Sequence, residues 1–203
     1  MNTQLRIGHF SPDAPAVNVI VDGDTLLTDV LFGTLGEYVE IDAGLYDVEI
    51  VPAPGGDALL AATLQFDAGT DYTVLAVGML SDIESLVLTD DRPPIGDDES
   101  RVRFVHAAPD APAVDVVADG AILFENVAFG AAADFAAVGS GSHDIGVRPN
   151  GSEDAVLSRS GIDFDDATAY TVFATGMLAD DSLDAMVASD YVWTEVDDRM
   201  PAA

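Results

Sequence analysis

His9 stands four residues ahead of Asp13, and His106 stands four ahead of Asp110. An imidazole near a carboxylate is common material for acid–base chemistry and metal binding, because histidine titrates near neutrality and its neutral ring is a ligand. The residues around each pair argue for another use. Both belong to one pattern, His-x-x-Pro-Asp-Ala-Pro, formed by His9, Pro12, Asp13 and Pro15, and again by His106, Pro109, Asp110 and Pro112. Two prolines three apart cannot sit inside a sheet ladder, and aspartate favours a side-chain-closed turn. The reading is therefore structural. The imidazole closes the Pro-Asp-Ala-Pro turn through hydrogen bonds, and the aspartate caps backbone donors of that turn. His143 replaces Tyr46 of the first copy and reads as a strand residue.

Other chemistries find less support. With no cysteine there is no thiolate site, and three scattered histidines lack zinc spacing. With no lysine, Schiff-base and Walker lysines are excluded. Gly139-Ser140-Gly141-Ser142 is a turn and not a nucleophile elbow. Calcium is the metal whose preference for carboxylate oxygens suits the composition. Its candidate ligands are Asp97, Asp98 and Glu99, which could stiffen a hinge, and Asp163, Asp165 and Asp166; Asp22 with Asp24, and Asp180, Asp181 and Asp184, are further clusters. None follows the EF-hand spacing, and at this density of aspartate clusters arise without any site. Asn150-Gly151-Ser152 is a glycosylation acceptor pattern at a loop tip, and Asn-Gly is equally a favoured hairpin turn.

The elements that position these residues come in two copies. The segment from Arg6 to Gly23 returns 97 residues later as Arg103 to Gly120, with eleven of eighteen positions identical. Val17, Val19 and Val21 alternate with Asn18, Ile20 and Asp22, and Tyr46, Val48 and Ile50 alternate with Asp47 and Glu49, which is strand periodicity. Tyr72 to Leu80 is nearly all apolar and predicts a central strand buried on both faces. Seven or eight short strands separated by turn signals every 8–12 residues describe a β-sandwich. The chain thus divides into repeat 1 over 1–91, a proline- and acid-rich linker over 92–101, and repeat 2 over 102–203. Repeat 2 runs on into Tyr191-Val192-Trp193-Thr194-Glu195-Val196, whose strand formers predict an added strand. That strand pairs either with its own sandwich edge or with another copy, giving self-association, and Asp197-Asp198 would stop further pairing.

Acidic residues number 37 against seven arginines, for a net charge of −30. Such self-repulsion opposes compaction at low ionic strength, but at molar salt the Debye length is only about 3 Å. An Asp-rich chain that is 49% hydrophobic reads as a halophile's protein; an acidic mesophilic protein and a dedicated cation binder are the other readings. Nucleic acid and anionic membranes are poor partners for this surface, and no apolar run reaches the length of a membrane span.

His-x-x-Pro-Asp-Ala-Pro-x-Val-Asp/Asn-Val followed by Asp-Gly resembles the opening of the prokaryotic family named domain of unknown function 4397, here of a halophilic archaeal type. The resemblance spans both copies. It implies tandem immunoglobulin-like or transthyretin-like sandwiches, in proteins that are often secreted or surface-attached, with no established activity. The expected protein is therefore all-β, two tandem antiparallel β-sandwiches, and non-catalytic, a structural or binding module of a halophile's surface with a protein or surface polymer as partner. Cytoplasmic location is expected if Met1 is the native start with no leader removed, which suits an intracellular interaction protein. An accessory domain of a carbohydrate-processing or hydrolytic system is the remaining alternative.

Overall fold

The computed structural model describes residues 3–90 and 92–194. The chain is all-β and divides into two compact units, Met1–Asp91 and Arg92–Ala203.

In unit 1, β1 (Thr3–Phe10) lies between β8 (Asp71–Val77) on one side and the short β4 (Thr34–Leu35) and β5 (Val39–Ile41) on the other, and β9 (Glu84–Asp90) pairs with the far edge of β8. The second sheet has the order β3 (Asp24–Val30), β2 (Val17–Val21), β6 (Gly44–Pro52), β7 (Leu60–Phe66). The alternation read from β6 places Val48 and Ile50 inward, at 5% and 3% exposure. Val48 packs in a core that holds Leu5, Ile7, Val19, Phe66, Tyr72 and Val74, and Ile50 packs with Val17, Val30 and Ala76. Burial of this apolar surface, at about 25 cal/mol per Å², holds the two layers together.

Unit 2 repeats the plan with β10 (Glu99–His106), β11 (Val114–Ala118), β12 (Ala121–Val127), β13 (Ala136–Gly139), β14 (Gly141–Pro149), β15 (Leu157–Phe164), β16 (Thr168–Thr175) and β17 (Asp184–Val192). Its sheets run β13-β10-β16-β17 and β12-β11-β14-β15. Phe104, Val116, Ile145, Val147, Phe164 and Val172 pack between them.

Three features depart from the sequence reading. The sheets are antiparallel except for one pair in each unit: β1 runs parallel to β8, with Ile7 opposite Val74, and β10 runs parallel to β16, with Phe104 opposite Val172. A parallel pair needs a long crossover, and here the whole second sheet supplies it. The central strand stops at Val77 and does not reach Leu80. Gly78 turns the chain with φ +97, and a Cβ there would lie 2.5 Å from the Asp82 carbonyl oxygen; Leu80–Asp82 then forms a single 3₁₀ turn. Finally, the segment expected as a linker over 92–101 belongs to unit 2. Its last residues open β10 at Glu99, and Ile95 is buried against Ala169 and Tyr191.

The tail expected as an added strand is the extension of β17. Tyr191 and Val192 lie opposite Ala169 and Thr168 of β16, and the Trp193 amide donates to the Ala167 carbonyl. Pairing is thus with the unit's own sheet. Tyr191 is 7% exposed and its hydroxyl donates to the Pro93 carbonyl at 2.8 Å. Glu195, Val196, Asp197 and Asp198 lie outside the described residues.

Candidate functional site: the histidine turns and the buried arginine relays

His9 ends β1 at 2% exposure, and His106 ends β10 at 1%. The His9 Nε2–H donates to the Pro15 carbonyl at 3.1 Å, while Nδ1 accepts from the Ser11 amide at 3.5 Å. In unit 2, Nε2 of His106 lies 3.0 Å from the Pro112 carbonyl and Nδ1 accepts from the Ala108 amide at 3.3 Å. One nitrogen donates and the other accepts, so the ring is held neutral in one tautomer. Burial pushes both pKa values below the ordinary histidine value, against the opposing pull of the proline carbonyl. Pro15 and Pro112 thus supply the acceptors, and Pro12 and Pro109 sit within the turns that the rings span.

Asp13 and Asp110 bond elsewhere than expected. They cap the loop after the penultimate strand and not their own turn. Asp13 Oδ1 accepts from the Leu80 amide at 2.7 Å, and Asp110 accepts from Leu178 at 2.7 Å and Ala179 at 2.8 Å. The histidine and the aspartate of each motif therefore clamp different segments, and their proximity in sequence does not make an acid–base pair. What they build is a junction between the first strand, its turn and the loop roughly seventy residues further on.

A second repeated constellation escaped the sequence reading. Arg6 Nε donates to Thr73 Oγ1 at 2.8 Å, and the Thr73 hydroxyl donates to Asp90 Oδ2 at 2.6 Å. The Tyr38 hydroxyl donates to the same oxygen at 2.8 Å, and the guanidinium lies over the Tyr38 ring. Unit 2 has Arg103 Nε to Thr171 at 2.7 Å, Thr171 to Asp190 at 2.6 Å, and the Arg103 guanidinium over Phe135. Arg6 and Arg103 are both 3% exposed, and a buried charge is tolerated when it is paired and hydrogen-bonded. The arginines stood out as two of only seven in the chain. Their acidic partners did not, because Asp90 and Asp190 are lost among 29 aspartates and sit at a different offset from the motif.

The remaining candidates are dispersed. Asp98 is left-handed at φ +58, and Glu99 is taken up by Arg101 at 3.4 Å. Asp165 meets the Tyr170 hydroxyl at 3.1 Å, and Asp166 caps the Ala167 amide. Asp163 lies opposite Ser142 on the β14–β15 ladder. Among the described residues, no three His, Asp or Glu side chains converge as a metal site would require. Asn150 is exposed at its turn, but its amide donates to Asp115 Oδ1 at 2.8 Å. His143 faces two acceptors, with Nδ1 2.7 Å from Asp119 Oδ2 and Nε2 2.8 Å from the Gly139 carbonyl. Burial opposes its charge, but those two hydrogen bonds and the Asp119 carboxylate together raise its pKa above the ordinary value.

The fold and these junctions define a protein of two tandem β-sandwich units, each tied by the same histidine turn and arginine relay. The chain belongs to the family described as domain of unknown function (DUF4397), whose model matches residues 3–117 and again 100–200. No curated protein matches the chain. Solved structures similar to it include a family 26 carbohydrate-binding module from Eubacterium rectale in complex with maltoheptaose, at 10% identity over 93% of this chain and 96% of that one, with a TM-score of 0.27. Another is a streptococcal virulence factor that binds α-glucan, at 10% identity over 89% of this chain and 95% of that one, with a TM-score of 0.26. At such scores neither lends a ligand to this chain.

Proposed function

We propose that this protein is a non-catalytic binding and structural module of a halophile, working at the cell surface or outside the cell. The observation that carries the reading is the fate of the two histidine–aspartate pairs. Each imidazole has backbone partners on both nitrogens, and each aspartate caps a distant loop. The residues best suited to acid–base chemistry are thereby committed to joining strands. The net charge of −30 supports a high-salt habitat, where screening removes most of the self-repulsion. Sandwich units whose motif histidines and aspartates are used internally suit display of a binding face more than turnover.

The test has two arms, both at molar salt. A panel of ester, glycoside and peptide substrates is expected to show no turnover; activity that disappears in His106→Gln while the fold persists would overturn the reading. Antibody labelling of intact source cells is expected to find the protein outside, and labelling only after lysis would remove the surface assignment.

A further inference from the structure

Unit 2 carries a groove of about 270 Å³ on its β12-β11-β14-β15 sheet, lined among others by Asp144, Gly146, Arg148, Glu153, Ser158 and Ser160. The two units differ at these positions. β14 aligns with β6 through Ile145 and Val48, so Gly146 stands where unit 1 has Glu49, and Arg148 where it has Val51. Ser158 and Ser160 likewise replace Ala61 and Thr63. Gly146 leaves room: its φ is not in the left-handed region, and a Cβ built there meets nothing within 4 Å.

Arg148 is the group that calls for a ligand. Its nearest acid is Asp115, 3.9 Å away, too far for a hydrogen bond. Asp115 is already occupied, because it accepts from the Asn126 amide, the Asn150 side chain and the Gly151 amide at 2.8–3.1 Å. Arg148 is thus ion-paired with Asp115 without being hydrogen-bonded to it. Arg148 Nε has no hydrogen-bond partner but is itself shielded, so a groove ligand would meet the outer guanidinium of a side chain that is 22% exposed. Guanidinium donors favour planar carboxylates. The serine hydroxyls, Asp144 and Glu153 offer partners for ligand hydroxyls. No aromatic ring lines the groove, so a bare sugar face or a nucleobase has no stacking platform. Asp144 and Glu153 repel any anion, a doubly charged phosphate more than a singly charged carboxylate, and Arg159, which also lines the groove, is already paired with Asp184. The anion reaches this acidic protein because at molar salt only contacts within about 3 Å escape screening.

We propose that this groove binds a single sugar-acid unit, its carboxylate on Arg148 and its hydroxyls on Ser158, Ser160 and Asp144. The proposal rests on the non-catalytic binding reading and names its ligand class. The experiment is an amide NMR titration of the full chain at molar salt with sodium glucuronate, glucose and inorganic phosphate. Glucuronate is expected to give saturable shifts around residues 144–148 and 158–160, and glucose and phosphate much weaker ones. Arg148→Val and Gly146→Glu restore the residues of unit 1. Each is expected to weaken glucuronate binding about tenfold or more, Arg148→Val by loss of a charge-assisted contact and Gly146→Glu by placing a carboxylate in the groove, with the fold retained by circular dichroism. If either variant fails to fold, a Ser158→Ala, Ser160→Ala double variant replaces it, with weakened binding expected again. Absence of saturable shifts, glucose or phosphate binding as tightly as glucuronate, or full affinity in the variants overturns the site. Turnover of a glucuronoside with groove binding intact would instead overturn the non-catalytic reading and leave the site standing.

Discussion

The three histidines occupy two opposite electrostatic situations. His9 and His106 each need one acceptor and one donor nitrogen, so the fold selects the neutral ring. His143 faces a carboxylate and a carbonyl, so both its nitrogens must donate and the fold selects the imidazolium. The linkage signs follow. The neutral pair contributes stability that is full above the unfolded value of about 6.5 and is lost as pH falls through their lowered pKa values. His143 contributes stability that is full below that value and is lost as pH rises through its raised pKa. Nitrogen-15 NMR of the imidazoles at pH 6.5 is expected to find His9 and His106 neutral and His143 mostly protonated. His143→Tyr, which installs the unit 1 residue, is expected to remove this small alkaline loss, which solvent screening keeps slight at an exposed pair. Neutral His143 at pH 6.5 would contradict the assignment.

At the scale of elements, the loops after β8 and β16 are held from a distance. Gly176, like Gly78, makes the turn because a Cβ would lie 2.2 Å from the Ser182 carbonyl oxygen, and Asp110 then pins the amides of Leu178 and Ala179. Asp110→Ala is expected to destabilise unit 2 by about 1 kcal/mol, the net value of such bonds, and to speed hydrogen exchange at Leu178 and Ala179. An unchanged urea midpoint with unchanged exchange would remove the clamp role. The tail is the second such element. Tyr191 joins the end of β17 to the segment before β10, through Ile95 and the Pro93 carbonyl. Tyr191→Ala is expected to cost about 3 kcal/mol, as for a buried aromatic truncated to alanine, with no change in oligomeric state by light scattering. A shift from oligomer to monomer would show that the strand works between copies.

At the scale of the whole molecule, charge sets the conditions of folding. With 37 acidic residues and net charge −30, the folded state gathers repulsion that the extended chain spreads out. Circular dichroism melts from low to molar sodium chloride are expected to show a melting temperature that rises steeply with salt and levels off as the Debye length approaches about 3 Å. A melting temperature insensitive to salt would contradict the halophile reading.

The amino-acid sequence by itself determined the two-copy plan, the sandwich class and the course of strands such as β6. Those are local matters: side-chain period and backbone preference act over a few residues. The resemblance drawn from the repeated motif likewise needed no coordinates. Only the tertiary structure decided that β1 runs parallel to β8, that Asp110 reaches Leu178, that Arg6 is relayed through Thr73 to Asp90, and that 92–98 belongs with unit 2. Each of these joins residues dozens of positions apart, and in a chain with so many aspartates the composition offers every cation many equivalent partners. Sheet register selects among them, because it alone sets which side chains share a face and lie within bonding distance. The groove of unit 2 arises in the same way. Gly146, Arg148, Ser158 and Ser160 are unremarkable in line, and become one surface when β14 pairs with β15.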